Sequence, residues 1–488
     1  MDIRRLIPGI ATCALVVALA GCSYPTRNEK ADVINETFGY RLGNLAAGGA
    51  EDTLVVVTAS GGGTRATALA LSTLRALDKV RLPTGRSLAQ EIDVISSVSG
   101  GSVAAAYFAL AGRGGFDTLE HDFVRRNGMA AIMSAGLNPF GLAKLSTPGT
   151  ERIDLLIDYL DRQLFKKATY RTLLEAGHRP LLVVNAADMV EGIPFSFTQR
   201  KLNLLCSELT KIPLATAVAA SAAFPVALSP VTLTNYQPCE ATPRSWPPAW
   251  VEVNLDDPSS AFASPSLWYD APQRTLLARA ENAYAMGRNA PPGRRKSYVH
   301  LLDGGIADNL GLFEPHRMLT TADTDPSLWA LVNSGTAKKL IFVVINARSF
   351  AASSLDESQA TPGMLDMLMS SINAPIDRAT AGTALQLRET LLETFQKLDR
   401  GLGRFAALAR NTALVTIDFD AIADDACRRK FQSIPTSWHI KKEQVDALLE
   451  VGGALLANDP SFAKLLSLAG AARPDLPTLA DTCGKLAF

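Results

Sequence analysis

The 488 residues carry no net charge, with 48 Lys and Arg against 48 Asp and Glu. That balance excludes a chain that holds nucleic acid by bulk positive charge, so no nucleic-acid partner is expected. It equally excludes an acidic, solvated chain. Histidine is scarce, at five residues. Cysteine numbers six, too few for a disulfide-built miniprotein, and no C-x-x-C pair offers a zinc ribbon or a thioredoxin-type site. The G-x-G-x-x-G spacing of a dinucleotide fold is absent, and so is the Gly-Lys-Ser/Thr ending of a P-loop. No internal repeat is visible. The N-terminal apolar run, Leu6 to about Leu19, is shorter than the ~20 residues of a membrane span. What remains is 47% hydrophobic and 20% charged, the composition of a folded globular protein. The length allows one large domain with insertions or two to three smaller ones.

Arg4 and Arg5, the apolar run, and then Ala20-Gly21-Cys22 follow the three-part layout of a secretory signal. Leu19-Ala20-Gly21-Cys22 resembles the bacterial lipoprotein box. That resemblance implies removal of 1–21, lipidation of Cys22 and attachment to a membrane of the bacterial cell envelope. Ser23 resembles the outer-membrane sorting default. An uncleaved anchor and ordinary cleavage are the alternatives. Loss of Asp2, Arg4 and Arg5 leaves 46 positive against 47 negative side chains, a charge of −1. Cys206, Cys239, Cys427 and Cys483 then remain for folding. An exported compartment permits disulfides. The nearest-neighbour pairing, Cys206–Cys239 with Cys427–Cys483, is one of three connectivities, and four free thiols are also open.

Residues 22–50 read as a polar tether. Apolar runs at Leu54–Thr58, Ile92–Ile95, Leu181–Asn185, Tyr298–Leu302, Ile341–Ile345 and Leu414–Ile417 alternate with helical stretches such as Ala66–Leu77 and Ser102–Leu110. Short apolar runs separated by helices predict buried parallel strands of an α/β sheet. Within 149–165, Ile153, Leu156, Tyr159, Leu160 and Leu164 form one helical stripe. Residues 236–297 are rich in proline and hold Trp246, Trp250 and Trp268; they read as a long insertion with little regular structure, packed on the domain or forming a lid. Residues 376–400 and 442–470 read as helical.

Two glycine turns carry the chemistry. Ser60-Gly61-Gly62-Gly63-Thr64-Arg65 follows a strand and opens a helix. Three glycines let backbone N–H groups crowd a ligand, and the helix start adds unsatisfied donors. Such a turn can hold a phosphate or an oxyanion. Ser97-Val98-Ser99-Gly100-Gly101-Ser102 has the shape of a nucleophile elbow, with the Gly100 N–H placed to assist at the oxyanion. A bland tight turn and a serine-rich loop are the competing readings. A serine nucleophile needs a base. None of His121, His178, His300, His316 and His439 lies in a clearly catalytic setting. Asp303 is the better candidate: it stands at a strand end before Gly304-Gly305, where active sites of α/β sheets assemble.

The ordered set Gly61-Gly62-Gly63-Thr64-Arg65, Ser97-Val98-Ser99-Gly100-Gly101 and Asp303-Gly304-Gly305 resembles the patatin-like phospholipase family. Ala219-Ala220-Ser221-Ala222-Ala223-Phe224-Pro225 is similar to the family's Ala/Ser-rich block. The resemblance spans about 54–350. It departs at Ala66 and Ser97, small residues where the family has glycine, and in the Ser99-to-Asp303 separation, lengthened by the insertion.

The resemblance implies a three-layer α/β/α patatin-like fold with a central, mostly parallel sheet and long insertions. It implies a catalytic domain over 51–350, followed by a mainly helical part, 351–488, packed on it. It also implies a Ser99–Asp303 dyad, an oxyanion hole from Gly61, Gly62, Gly63 and Gly100, no metal and no cofactor. The implied substrate is a lipid or other acyl ester. Arg65 is expected to steady the turn or to meet an anionic head group. A surface position or a helix-side ion pair is its plainer reading. An esterase or acyltransferase on another acyl group is an alternative, as is a catalytically silent lipoprotein that binds lipid or a partner protein.

Overall fold

The computed structural model describes residues 26–34, 36–49, 52–138, 147, 149–225, 227–240, 271–320, 328–349, 408–484 and 486, with isolated positions between 359 and 388. The signal segment 1–21, Cys22, the three insertion tryptophans and most of 376–400 lie outside the described residues.

Eight strands form one sheet: β1 Thr53–Ala59, β2 Val94–Val98, β3 Leu181–Asp188, β4 Pro194–Ser196, β5 Val231–Thr234, β6 Tyr298–Asp303, β7 Lys339–Asn346 and β8 Thr412–Asp418. Their order is β5-β6-β3-β2-β1-β7-β8, with β4 paired to β3. The run β3-β2-β1-β7-β8 is parallel. Every residue of β1, β2 and β3 is buried. That is the mark of strands covered on both faces, and it explains why they read as continuous apolar runs. The principal helices are α1 Gly63–Lys79, α2 Ser99–Ala111, α3 Gly128–Leu137, α4 Arg152–Leu160, α5 Leu214–Ser221, α6 Ala271–Met286, α7 Phe313–Thr320 and α8 Lys442–Asn458. Helices flank the mostly parallel sheet in the expected three-layer α/β/α arrangement.

The stripe Ile153, Leu156, Tyr159, Leu160 and Leu164 is buried, as its periodicity requires. Helix α8 meets α1 closely. A side chain at Gly452 would press on Ser72 and Thr73, and Ser72 Oγ donates to Leu449 O at 2.8 Å. The sheet also crosses position 350, because β8 pairs with β7.

Three expectations need correction. First, β6 is not parallel: it runs antiparallel to both β3 and β5. An apolar run records burial but not direction. Second, the insertion is not irregular throughout, since 271–286 forms helix α6. Pro272 stands in its first turn, where a missing N–H costs nothing. Third, the stretch read as a tether is docked over 26–34 and 36–49. Arg27 pairs with Asp154 at 2.7 Å. The Asn28 side chain donates to Thr234 O and accepts from Thr234 N–H. Ile34, Tyr40, Leu42 and Leu45 are buried.

Disulfides join Cys206 to Cys239 and Cys427 to Cys483, the nearest-neighbour pairing. The first ties the start of the insertion to the body. The second ties the last helix to the segment after β8.

Candidate active site

The parallel strands end on one edge of the sheet, and the two glycine turns leave from there. Ser99 follows β2 directly and is the first residue of α2, with φ +50°. For a non-glycine residue that conformation is uncommon and strained. It turns the hydroxyl out of the strand line. The packing that holds it is backbone on backbone. A side chain at Gly100 would strike Gly63 O, and one at Gly101 would strike the carbonyls of Ala59 and Ser60. Both positions therefore require glycine for close approach.

Asp303 arrives from the other direction, at the end of β6. The registers Val98↔Asn185 and Ala186↔Asp303 bring it level with the elbow across β3. A side chain at Gly304 would strike Asn185 O, so this turn is also locked by close packing. Ser99 Oγ donates to Asp303 Oδ2 at 2.8 Å, and Gly305 N–H donates to Asp303 Oδ1 at 2.8 Å. Both residues are 7% exposed. Burial pushes the Asp303 carboxyl up to about 6, against the lowering effect of the Gly305 and Ser99 hydrogen bonds. Histidine plays no part in this pairing. His300 Nδ1 lies 2.9 Å from Thr232 Oγ1, and His316 is buried on α7 with its pKa pushed down to about 4 by desolvation.

The glycine turn lies against the elbow. Gly62 has φ +139° and Gly63 φ +59°, values that favour glycine. Among the described residues, the N–H groups of Gly62, Gly63 and Gly100 meet no protein acceptor. Gly61 differs from expectation: its N–H donates to Asn309 O at 3.1 Å and is already spent. The free donors are thus those of Gly62, Gly63 and Gly100.

Arg65 also departs from one expected role. It is buried on α1, where Nε donates to Ala347 O at 2.7 Å, Nη1 to Ile434 O and Nη2 to Thr436 Oγ1 at 3.0 Å. Burial lowers its pKa to about 10, so it stays charged at neutral pH. It clamps the glycine turn to the chain after β7 and to the 434–436 segment. Each of its three guanidinium nitrogens is bonded to a protein acceptor.

Several supporting residues carried no role in the sequence reading. Ser221, at the end of α5, accepts the Ser99 N–H at 2.8 Å and donates to Asn185 O at 2.6 Å. Ser102 Oγ lies 3.0 Å from Ser221 Oγ. Thr67 Oγ1 donates to Gly100 O at 2.7 Å. Ser437 O accepts the Thr64 N–H at 2.8 Å and covers Gly63. Ser221 lay within a quoted motif, but its partners, 122 and 36 residues away, could not be read from spacing. Asp308 organises the following turn by accepting the Phe313 N–H at 2.7 Å. Among the described residues no group of three or more His, Cys, Asp and Glu could hold a metal ion.

A strained serine on a strand-to-helix elbow, bonded to a buried carboxylate beside free backbone donors, has the geometry of a nucleophile elbow on an α/β sheet. Residues 57–252 match the family model described as patatin-like phospholipase. At the level of the family, that match supports lipid acyl hydrolysis. A solved structure, human GIVD cytosolic phospholipase A2, is similar at 20% identity with a TM-score of 0.22. The likeness covers 30% of this chain and 22% of that one, so the chain spans about a fifth of that protein's length. No curated protein matches the chain.

Proposed function

We propose that the protein cleaves carboxylic ester bonds of lipids, phospholipids foremost, through an acyl-enzyme on Ser99 with Asp303 as base. The 2.8 Å bond from Ser99 Oγ to Asp303 Oδ2 is the observation that supports this reading. Ser99 Oγ attacks the ester carbonyl carbon while its proton passes to Asp303 Oδ2. The carbonyl oxygen becomes an oxyanion and takes the N–H groups of Gly62, Gly63 and Gly100. Removing one such donor typically costs ~3 kcal/mol of transition-state stabilisation. The tetrahedral adduct collapses, Asp303 returns the proton to the leaving alcohol, and the acyl group stays on Ser99. Water then attacks the acyl carbon and gives a proton to Asp303. Collapse of the second adduct frees the acid, and Asp303 reprotonates Ser99.

The catalytic unit in this proposal is 51–350 together with β8 and the 434–437 segment, which complete its sheet and hold its glycine turn. Cys22 carries the lipid that holds the chain to the envelope membrane, the outer one by the Ser23 resemblance.

The test compares wild type, Ser99→Ala and Asp303→Ala on a short-chain p-nitrophenyl ester and on a phospholipid. Both variants should lose hydrolysis of both substrates. Full activity in Ser99→Ala would sink the mechanism.

A further inference from the structure

Helix α3 leaves one side uncovered. Met129, Met133 and Leu137 recur every four residues along it and are 37%, 54% and 66% exposed. The adjoining stripe, about 100° round the helix, is buried at Gly128, Ile132 and Gly136 and fixes the helix to the body. The helix carries no charged residue, and none occurs in the sequence from Gly128 to Ala143. Solvated helices normally carry charge on the outer face, so this one is built for an apolar neighbour.

The start of α3 lies beside the site. Gly128 N–H donates to Trp438 O at 3.1 Å, and the preceding residue, Ser437, covers Gly63 in the oxyanion turn. The apolar stripe therefore begins one loop away from the donors that face the substrate.

The N-terminal chain arrives at the same end of the molecule. Strand pairing runs from Ala186↔Asp303 to Asp188↔Leu301, and from there through Val231↔Leu301 to Thr234↔Tyr298. Thr234 therefore lies beyond the level of Ser99 and Asp303, on the side to which the parallel strands point. Asn28 is bonded to Thr234, and Arg27 to Asp154 near the start of α4. Five peptide steps separate Cys22 from Arg27, a reach of at most about 18 Å. A lipid on Cys22 would hold the active-site end, not the opposite end, against a membrane.

We propose that the Met129–Met133–Leu137 face of α3 is the surface that rests on lipid, seating the mouth of the active site on the bilayer. The choice of a lipid surface rests on the lipid-hydrolase reading. Interfacial binding scales with the apolar area buried, and three large side chains on one uncharged helix supply it.

The full chain is prepared with bimane on a Met133→Cys thiol, labelling at that position being confirmed by peptide mass, and separately on Thr84→Cys beyond the far end of α1. Vesicles of phosphatidylethanolamine and phosphatidylglycerol should shift the emission at position 133 to the blue and leave position 84 unchanged. No shift at 133 overturns the proposal. A shift on raising protein concentration without vesicles also overturns it, in favour of a second copy of the chain. In parallel, Met129→Glu/Met133→Glu/Leu137→Glu should lower hydrolysis of vesicle phospholipid by about tenfold or more relative to a soluble short-chain ester; an unchanged ratio contradicts the proposal. The bimane readout needs neither turnover nor acylation, so loss of the hydrolase reading or of the Cys22 reading shows separately, as absent esterase activity or as an unmodified N-terminus by mass.

Discussion

Replacing Asp303 by Asn should make the protein more stable as well as inactive, and the gain should depend on pH. The amide keeps the shape and can still accept the Gly305 N–H. What it removes is a carboxylate that burial disfavours. The folded pKa of Asp303 is about 6, raised from the ordinary 3.8. Below 3.8 the acid is neutral whether folded or unfolded, and it has no ionisation cost. Between 3.8 and about 6 the unfolded chain ionises and the folded one does not, so stability is lost as pH rises. Above about 6 the loss is complete. Its size is the gap between 3.8 and about 6 at about 1.4 kcal/mol per pH unit, or about 3 kcal/mol. Urea denaturation of wild type and Asp303→Asn at pH 4 and pH 7.5 measures this. The stability difference should move toward the variant by about 2.4 kcal/mol between the two conditions, since at pH 4 part of the loss is already present. A difference that stays constant with pH would refute the claim that Asp303 is held ionised against its burial.

Four further outcomes follow from the same geometry. The kcat/KM of the wild type should rise through about pH 6 as Asp303 becomes able to accept a proton, read from a pH profile on a soluble ester. Ser221→Ala should leave the Ser99 N–H without its acceptor, costing about 1–3 kcal/mol of stability and lowering kcat with little change in KM. Gly100→Ala should force the elbow and the glycine turn apart, because the new methyl meets Gly63 O, and turnover should fall by about a hundredfold or more. Arg65→Met should strand the buried carbonyls of Ala347 and Ile434 and cost about 3 kcal/mol in denaturation, while KM stays in the same ratio for anionic and zwitterionic phospholipids.

The parts legible in the sequence are those in which chain neighbours do the work. The elbow at Ser99 and the turn before Gly304-Gly305 are local events, each needing small residues at fixed offsets. The parallel strands were legible because burial on two faces leaves an unbroken apolar run. The illegible parts depend on distant chain. Arg65 finds Ala347 and Ile434, 282 and 369 residues further on, and nothing near Arg65 signals that it is buried. Gly61 resembles its glycine neighbours until Asn309 folds back and takes its N–H. The direction of β6 and the docking of residues 26–34 and 36–49 are likewise set by tertiary packing, which overrides the polar look of the leader.

In the proposed mechanism Ser99 is the residue that carries the acyl group. Treatment of the purified protein with a fluorophosphonate, followed by peptide mass analysis, tests this directly. The mechanism predicts one adduct, on the peptide containing Ser99, with none in Ser99→Ala and strongly reduced labelling in Asp303→Ala. An adduct on another residue, or undiminished labelling of Ser99→Ala, would contradict it.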